Sequence, residues 1–193
     1  MKHNQGRLEV ITGPMFCGKT DELLRRLRRA IIAKQKIQVF KPGFDIRYSN
    51  EKVTSHAGNE YDAYPIDNTT EISALLLDDV TLVAIDEAQF FDEEIIQVVQ
   101  KLVDDGIRVI VGGLDMDFRG LPFGQMPMLL AQAEIVDKLH AICMVCGEEA
   151  TRTQRLVDGE PAHFDDPIII VGASEMYEAR CREHHQVPKG KKD

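Results

Sequence analysis

Residues 13–20 read GPMFCGKT, and no other stretch of the chain restricts its fold so severely. The octet fits the pattern G-x-x-x-x-G-K-[ST], a glycine-rich turn whose backbone N–H groups cradle phosphate oxygens. Such a turn needs a strand that fixes its entry and a helix whose positive N-terminal end faces the anion. Both flanks are present. Residues 7–12 (RLEVIT) alternate weakly and carry β-branched side chains, which reads as a strand. After Lys19 and Thr20 comes DELLRRLRRAIIAKQ, where Leu23, Leu24, Leu27, Ile31 and Ile32 share one helical face. Arg25, Arg26, Arg28 and Arg29 fall elsewhere and read as a solvated face, with a partner or phosphate surface as the alternative. In this setting Lys19 reaches the outer phosphates and the Thr20 hydroxyl ligates Mg²⁺.

The same alternation of strand and helix continues downstream. Residues 36–41 form a second strand, stopped by Pro42 and Gly43, and the polar, turn-rich stretch up to residue 70 gives no firm element. Residues 72–78 suggest a short helix, and 81–85 (TLVAI) a strand buried on both faces. Residues 93–105 make an amphipathic helix, 108–111 (RVIV) another buried strand, 128–133 a short helix and 136–140 a last strand. The pattern predicts an α/β domain with a mostly parallel sheet over residues 1–140. Beyond it, short strands and turns surround cysteine pairs, so residues 141–193 are expected to form a smaller unit. A chain of 193 residues has room for both.

Charge narrows the partners. The formal net charge of −9 disfavours a nucleic-acid polymer or an anionic membrane, since both need a basic footprint. No apolar stretch approaches the roughly 20 residues that span a bilayer. The opening MKHNQG lacks the apolar core of a secretion signal, so a cytoplasmic location is expected.

A phosphate turn alone leaves the phosphoryl acceptor open. The companion segment is TLVAIDEAQFF, residues 81–91. Asp86, at the C-terminal end of a buried strand, is placed to orient Mg²⁺, and the adjacent Glu87 can deprotonate an attacking hydroxyl. That hydroxyl belongs either to water, as in an ATPase, or to an organic acceptor. The short acidic chain favours a small acceptor, and transfer to it requires a loop that excludes water.

Four cysteines are present, at 17, 143, 146 and 181. Cys17 stands apart within the turn. Cys143-x-x-Cys146 and Cys181-x-x-His184 give two ligand pairs of equal gap, which suits a closed and therefore structural Cys₃His zinc site. His185 is a rival for the fourth position. The segment between the pairs becomes a loop pinned at both ends.

Taken together, GPMFCGKT, DEAQFF, LDMDFRGLPFG (114–124), CMVC and VGASEMYEARCREH (171–184) resemble the type II thymidine kinases, in the same order and over nearly the whole chain. The resemblance implies a RecA-like phosphate-loop domain, a small zinc domain with a lasso loop, and usually a homotetramer. It implies transfer of the γ-phosphoryl of ATP to the 5′-hydroxyl of thymidine with Mg²⁺, and feedback inhibition by the thymidine triphosphate. By this likeness Glu87 is the general base and Asp86 the metal-orienting acid. Gly13, Pro14, Met15, Phe16, Cys17, Gly18, Lys19, Thr20, Arg47, Ala88 and Gln89 surround the ATP phosphates. Met15, Asp45, Leu114, Phe118, Thr153 and Tyr177 match positions around the nucleoside, with the backbone of Ile170, Val171, Gly172, Ala173 and Ser174 facing the pyrimidine edge. Cys17 stands where many relatives carry Ser, and His184 where some carry Cys. A RecA-like ATPase or a kinase of another deoxynucleoside remains the alternative.

Overall fold

The computed structural model describes residues 6–43, 52–54, 60–169 and 175–190. Its centre is a six-stranded parallel sheet in the order β5-β2-β6-β7-β1-β8. The strands are β1 (Arg7–Thr12), β2 (Ile37–Pro42), β5 (Tyr64–Ile66), β6 (Leu82–Ile85), β7 (Arg108–Gly113) and β8 (Ile135–Lys138). Between β2 and β5 lie the short strands β3 (Lys52–Thr54) and β4 (Glu60–Asp62), which pair antiparallel. The apolar runs of β6 and β7 are buried because helices cover both faces of the sheet, as a parallel sheet requires. On one face α1 (Lys19–Ile32) places Leu23, Leu24, Leu27 and Ala30 against Ile11, Val39, Leu82, Ala84 and Ile110. On the other, α2 (Thr70–Leu75), α3 (Glu94–Asp104) and α4 (Met126–Gln132) cover Val10, Phe40, Val83, Ile85, Val109 and Val111 with Ile72, Ile95, Val99, Met126 and Leu129.

The face of α1 differs from the sequence expectation. Ile31 and Ile32 are exposed, while Arg26 is buried. The cause is charge. Glu9 points from β1 into the helix–sheet interface with a side chain only 3% exposed, and three guanidinium groups converge on it. Arg7, Arg26 and Arg108 each approach its carboxylate at 2.7 Å. Arg26 also bonds Glu22 at 2.9 Å and reaches Asp137. A buried carboxylate is tolerated only with such compensation.

Burial alone would raise the Glu9 carboxyl; the hydrogen bonds from Arg108 and Arg7 and their charges outweigh it, and its pKa falls from 4.5 to about 2. A carboxylate depressed in the folded state stabilises above its unfolded value and loses that contribution as pH falls through the folded one. Acid unfolding is therefore expected to draw on Glu9 between about pH 4.5 and 2. Thermal melts across that range should show a steeper loss for the parent chain than for Glu9→Gln, and equal slopes would remove Glu9 from the effect.

The C-terminal part carries its own small sheets. Strands β9 (Ala141–Ile142) and β10 (Glu149–Ala150) form one antiparallel pair. Strand β11 (Arg152–Val157) is flanked by β12 (Glu160–Pro161) and β13 (Glu175–Arg180) in a second antiparallel sheet. Ala141, Cys143, Ala150 and Ala179 make a separate apolar cluster, against which Cys17 and Cys181 pack. Among the described residues no helix is long and apolar enough to cross a membrane.

Candidate active site

The phosphate-loop sequence occupies the bend between β1 and α1, at the C-terminal edge of the sheet. Strand β1 is tied to its neighbour there, since the Thr12 hydroxyl donates to the Gly113 carbonyl at 2.9 Å. Gly13 has φ +140°, and a Cβ on it would lie 2.3 Å from the Leu139 carbonyl oxygen, so only glycine fits. Gly18 turns into α1 with φ 85°. The Lys19 ammonium donates to the Pro14 carbonyl at 2.7 Å, which holds the cation within the loop. The Met15 N–H donates to Thr153 Oγ1 at 3.0 Å, joining the loop to β11. Burial pushes the Cys17 thiol up, against the pull of the Lys19 charge, and the side chain packs towards the C-terminal cluster. Phe16 is exposed and Thr20 half-buried at the start of α1.

Asp86 follows β6, two strands from β1, and its N–H donates to Phe40 O at 2.9 Å. Its carboxylate accepts the Glu87 N–H at 3.0 Å. Glu87 takes a left-handed backbone with φ 51°, a conformation that costs a non-glycine residue free energy. Behind it, residues Ala88–Phe90 make a single 3₁₀ turn. Gln89, 3% exposed, is the link that fixes this corner. Its amide nitrogen donates to Glu87 Oε2 at 2.5 Å, and its carbonyl oxygen accepts the Leu114 N–H at 3.0 Å. Gly124, with φ 50°, packs on the backbone of this turn, where a Cβ would sit 2.2 Å from the Gln89 main-chain oxygen.

The residues expected around a nucleoside assemble from three segments. In β11 and β13, Thr153 lies opposite Ala179 and Arg155 opposite Tyr177. Cross-strand partners share a face, so Thr153, Arg155 and Tyr177 lie on one side of this sheet. Phe118 is buried, with the Arg155 guanidinium 5.2 Å from its ring centroid. The His185 ring donates from Nε2 to the Phe118 carbonyl at 2.8 Å, and burial pushes that imidazole towards its neutral form. Leu114 is tied to Gln89, as above, and Met15 to Thr153. Asp45, Arg47, Ile170, Val171, Gly172, Ala173 and Ser174 lie outside the described residues.

Two residues here have places the sequence did not assign: Arg155 fell in a segment expected as a loop, and His185 was a rival zinc ligand. Arg155 is 1% exposed and donates to the Pro167 carbonyl at 2.5 Å. His185 looks like a duplicate of His184.

Cys143, Cys146, Cys181 and His184 converge, with all four ligand atoms within 4.8 Å of one another. Cys181 Sγ stands 3.2 Å from His184 Nδ1, Cys143 Sγ 3.9 Å from the same atom, and Cys146 Sγ 3.9 Å from Cys181 Sγ. A tetrahedral ion with bonds of about 2.3 Å to sulfur separates its ligands by roughly 3.8 Å, so the donor set fits zinc. Burial raises the Cys143 thiol, but the N–H groups of Cys181, Cys146 and Val145 bring it down to about 6, which favours the ligating thiolate. His184 stands in the cluster, while His185 is turned to Phe118. Chelation is therefore expected to loosen residues 141–190 first. It should raise amide exchange at Phe118, through His185, before exchange rises in β6 and β7; simultaneous exposure of both regions would contradict this order.

The fold and this corner define a class: an α/β protein with a phosphate-loop sequence after β1, two adjacent carboxylates at the end of β6, two strands away, and a Cys₃His cluster whose donor set fits a metal ion. The sequence model of the thymidine kinase family matches residues 6–185. The chain belongs to the thymidine kinase family. Among solved structures it is similar to the ATPase DotB of Legionella pneumophila, at 12% identity and a TM-score of 0.45, covering 75% of this chain and 43% of that one. It is also similar to domain III of the replication initiation protein DnaA of Thermotoga maritima, at 16% identity and a TM-score of 0.41, covering 72% and 56%. The chain thus matches about half the length of each of these two structures.

Proposed function

We propose that the chain transfers the γ-phosphoryl group of ATP to the 5′-hydroxyl of thymidine. The observation that carries the reading is the Glu87 carboxylate, clamped by Gln89 beside Asp86, in a chain of the thymidine kinase family. In this reading residues 1–140 form the nucleotide domain and 141–193 a zinc-bearing domain that covers the acceptor. Glu87 accepts the proton of the 5′-hydroxyl as its oxygen bonds to the γ-phosphorus. The bond from phosphorus to the β–γ bridging oxygen breaks, and ADP leaves with that electron pair. Backbone N–H groups of residues 13–20 and the Lys19 ammonium stabilise the phosphoryl charge, because positioning and electrostatics dominate such transfers. Thr20 and Asp86 offer the hard oxygen ligands that Mg²⁺ takes, and the bound ion neutralises phosphate charge. Phe118 and Tyr177 flank the nucleoside, Thr153 and Met15 hold its sugar side against the loop, and Leu114 closes one wall. Asp45, Arg47 and the backbone of residues 170–174 complete the site by likeness to the family. The same likeness supports a cytoplasmic homotetramer inhibited by the thymidine triphosphate.

A nucleoside panel tests the reading. With ATP and Mg²⁺, thymidine is expected to yield its monophosphate at a kcat/KM well above that of other deoxynucleosides. Preference for another deoxynucleoside would move the substrate. ATP turnover stimulated by nucleic acid, with no nucleoside consumed, would replace a kinase by an ATPase.

Gln89 has its own expected effect. Gln89→Ala releases Glu87 and the Leu114 N–H together, and misplacement on the order of 1 Å lowers turnover by about 10- to 100-fold. ATP affinity should stay close to the parent value. Unchanged kcat would show that Glu87 holds its place without the clamp.

A further inference from the structure

The N-terminal edge of the sheet carries a feature that phosphoryl transfer does not use. A cavity of about 550 Å³ opens there, lined by Arg7 and Glu9 of β1, Arg108 of β7, Ile135 of β8, and Arg25, Arg26 and Arg29 of α1. Its β1 residues, Arg7 and Glu9, lie roughly 20 and 13 Å along the strand from Gly13 at the usual rise. We propose that this cavity is a second anion site, taking a phosphate or phosphate-ester dianion.

The charge balance supports it. Five guanidinium groups line the cavity, and the carboxylates bonded to them among the described residues are Glu9, Glu22 and Asp137. Five positive and three negative charges leave a surplus of two, in a chain whose net charge is −9. A phosphate ester carries about −1.5 to −2 charges near neutrality, which matches that surplus.

The donors are also placed in advance. Buried Glu9 holds Arg7, Arg26 and Arg108, so their planar forks lose little freedom when an anion arrives. Arg25 pairs only with Glu22 among the described carboxylates, and Arg29 is exposed and bonds none of them. These two supply the unsatisfied donors at the rim. Ala30, Ala33 and Ile135 add an apolar wall, which would accommodate the organic part of an ester.

The proposal does not rest on the kinase reading, and its test silences the phosphate loop. Full-length Lys19→Met protein is titrated calorimetrically with inorganic pyrophosphate, inorganic phosphate and the monophosphate ester glycerol 3-phosphate, which has no base for the nucleoside site. Pyrophosphate is expected to bind at one equivalent with a Kd below about 1 mM. Adding Arg25→Ala and Arg29→Ala should weaken it by at least about 10-fold, because charge-assisted hydrogen bonds are lost, with an unchanged thermal midpoint. Tighter binding of the monophosphate than of pyrophosphate would assign an ester, and the reverse order a free anion. No heat with any of the three ligands, or equal affinity with and without the two arginines, would overturn the site. A change of assembly state in the arginine variants without anion binding would likewise overturn it and make the surface a contact between copies.

Discussion

Glu87→Gln is expected to lower kcat by about two to four orders of magnitude, the range general-base catalysis contributes, while ATP binds nearly as before. The amide matches the carboxylate in shape and can still meet Gln89, so the strained corner at φ 51° should persist. What it lacks is a basic site for the proton of the attacking hydroxyl. In the proposed reading, ATP affinity rests instead on the backbone of residues 13–20 and on Lys19, which lie on the other side of β7. A parallel loss of ATP affinity and turnover would mean that Glu87 holds the nucleotide and is no base. Unchanged turnover would leave proton transfer to water or to the phosphate itself.

The second large effect concerns stability. Glu9→Ala leaves Arg26 buried, Arg7 and Arg108 without their shared partner, and only Glu22 and Asp137 in compensation. Removing one member of a buried ion cluster costs about 3–5 kcal/mol, because the remaining charges stay out of water. A urea titration should show that loss as a lower midpoint at constant slope. Replacing Glu9 together with Arg26 by apolar residues should recover much of it. A loss under about 1 kcal/mol for the single variant would mean that the cluster behaves as an exposed salt bridge.

The two large effects mark the boundary of what could be read in advance. The phosphate loop, the buried strands and the Cys₃His pairs were legible because each is a local pattern: glycine spacing, unbroken apolar runs, equal ligand gaps. The order of elements followed from them except before residue 70, where β3, β4 and the sheet strand β5 lie in a polar stretch that gave no firm element. The face of α1 was not, since Arg26 is drawn inward by Glu9 and Asp137, which lie 17 and 111 positions away. Helical periodicity ranks Ile31 above Arg26 for burial and cannot know about either carboxylate. Strand β11 was missed for the same reason, since residues 152–157 fall in the segment expected as a loop. Gln154 is fully buried because its amide pairs both ways with the backbone of Gln186, so a polar string lines an interior. The choice between His184 and His185 was also undecidable from spacing; three-dimensional placement separates them, one among the thiols and one under Phe118.

Phosphorus NMR of one reaction mixture reaches the core of this picture. Purified protein, ATP, Mg²⁺ and thymidine should give ADP and thymidine 5′-monophosphate in equal amounts, with inorganic phosphate negligible and no ADP formed when thymidine is omitted. Inorganic phosphate accumulating at the same rate with or without the nucleoside would show that water, and not a sugar hydroxyl, meets the carboxylate at position 87.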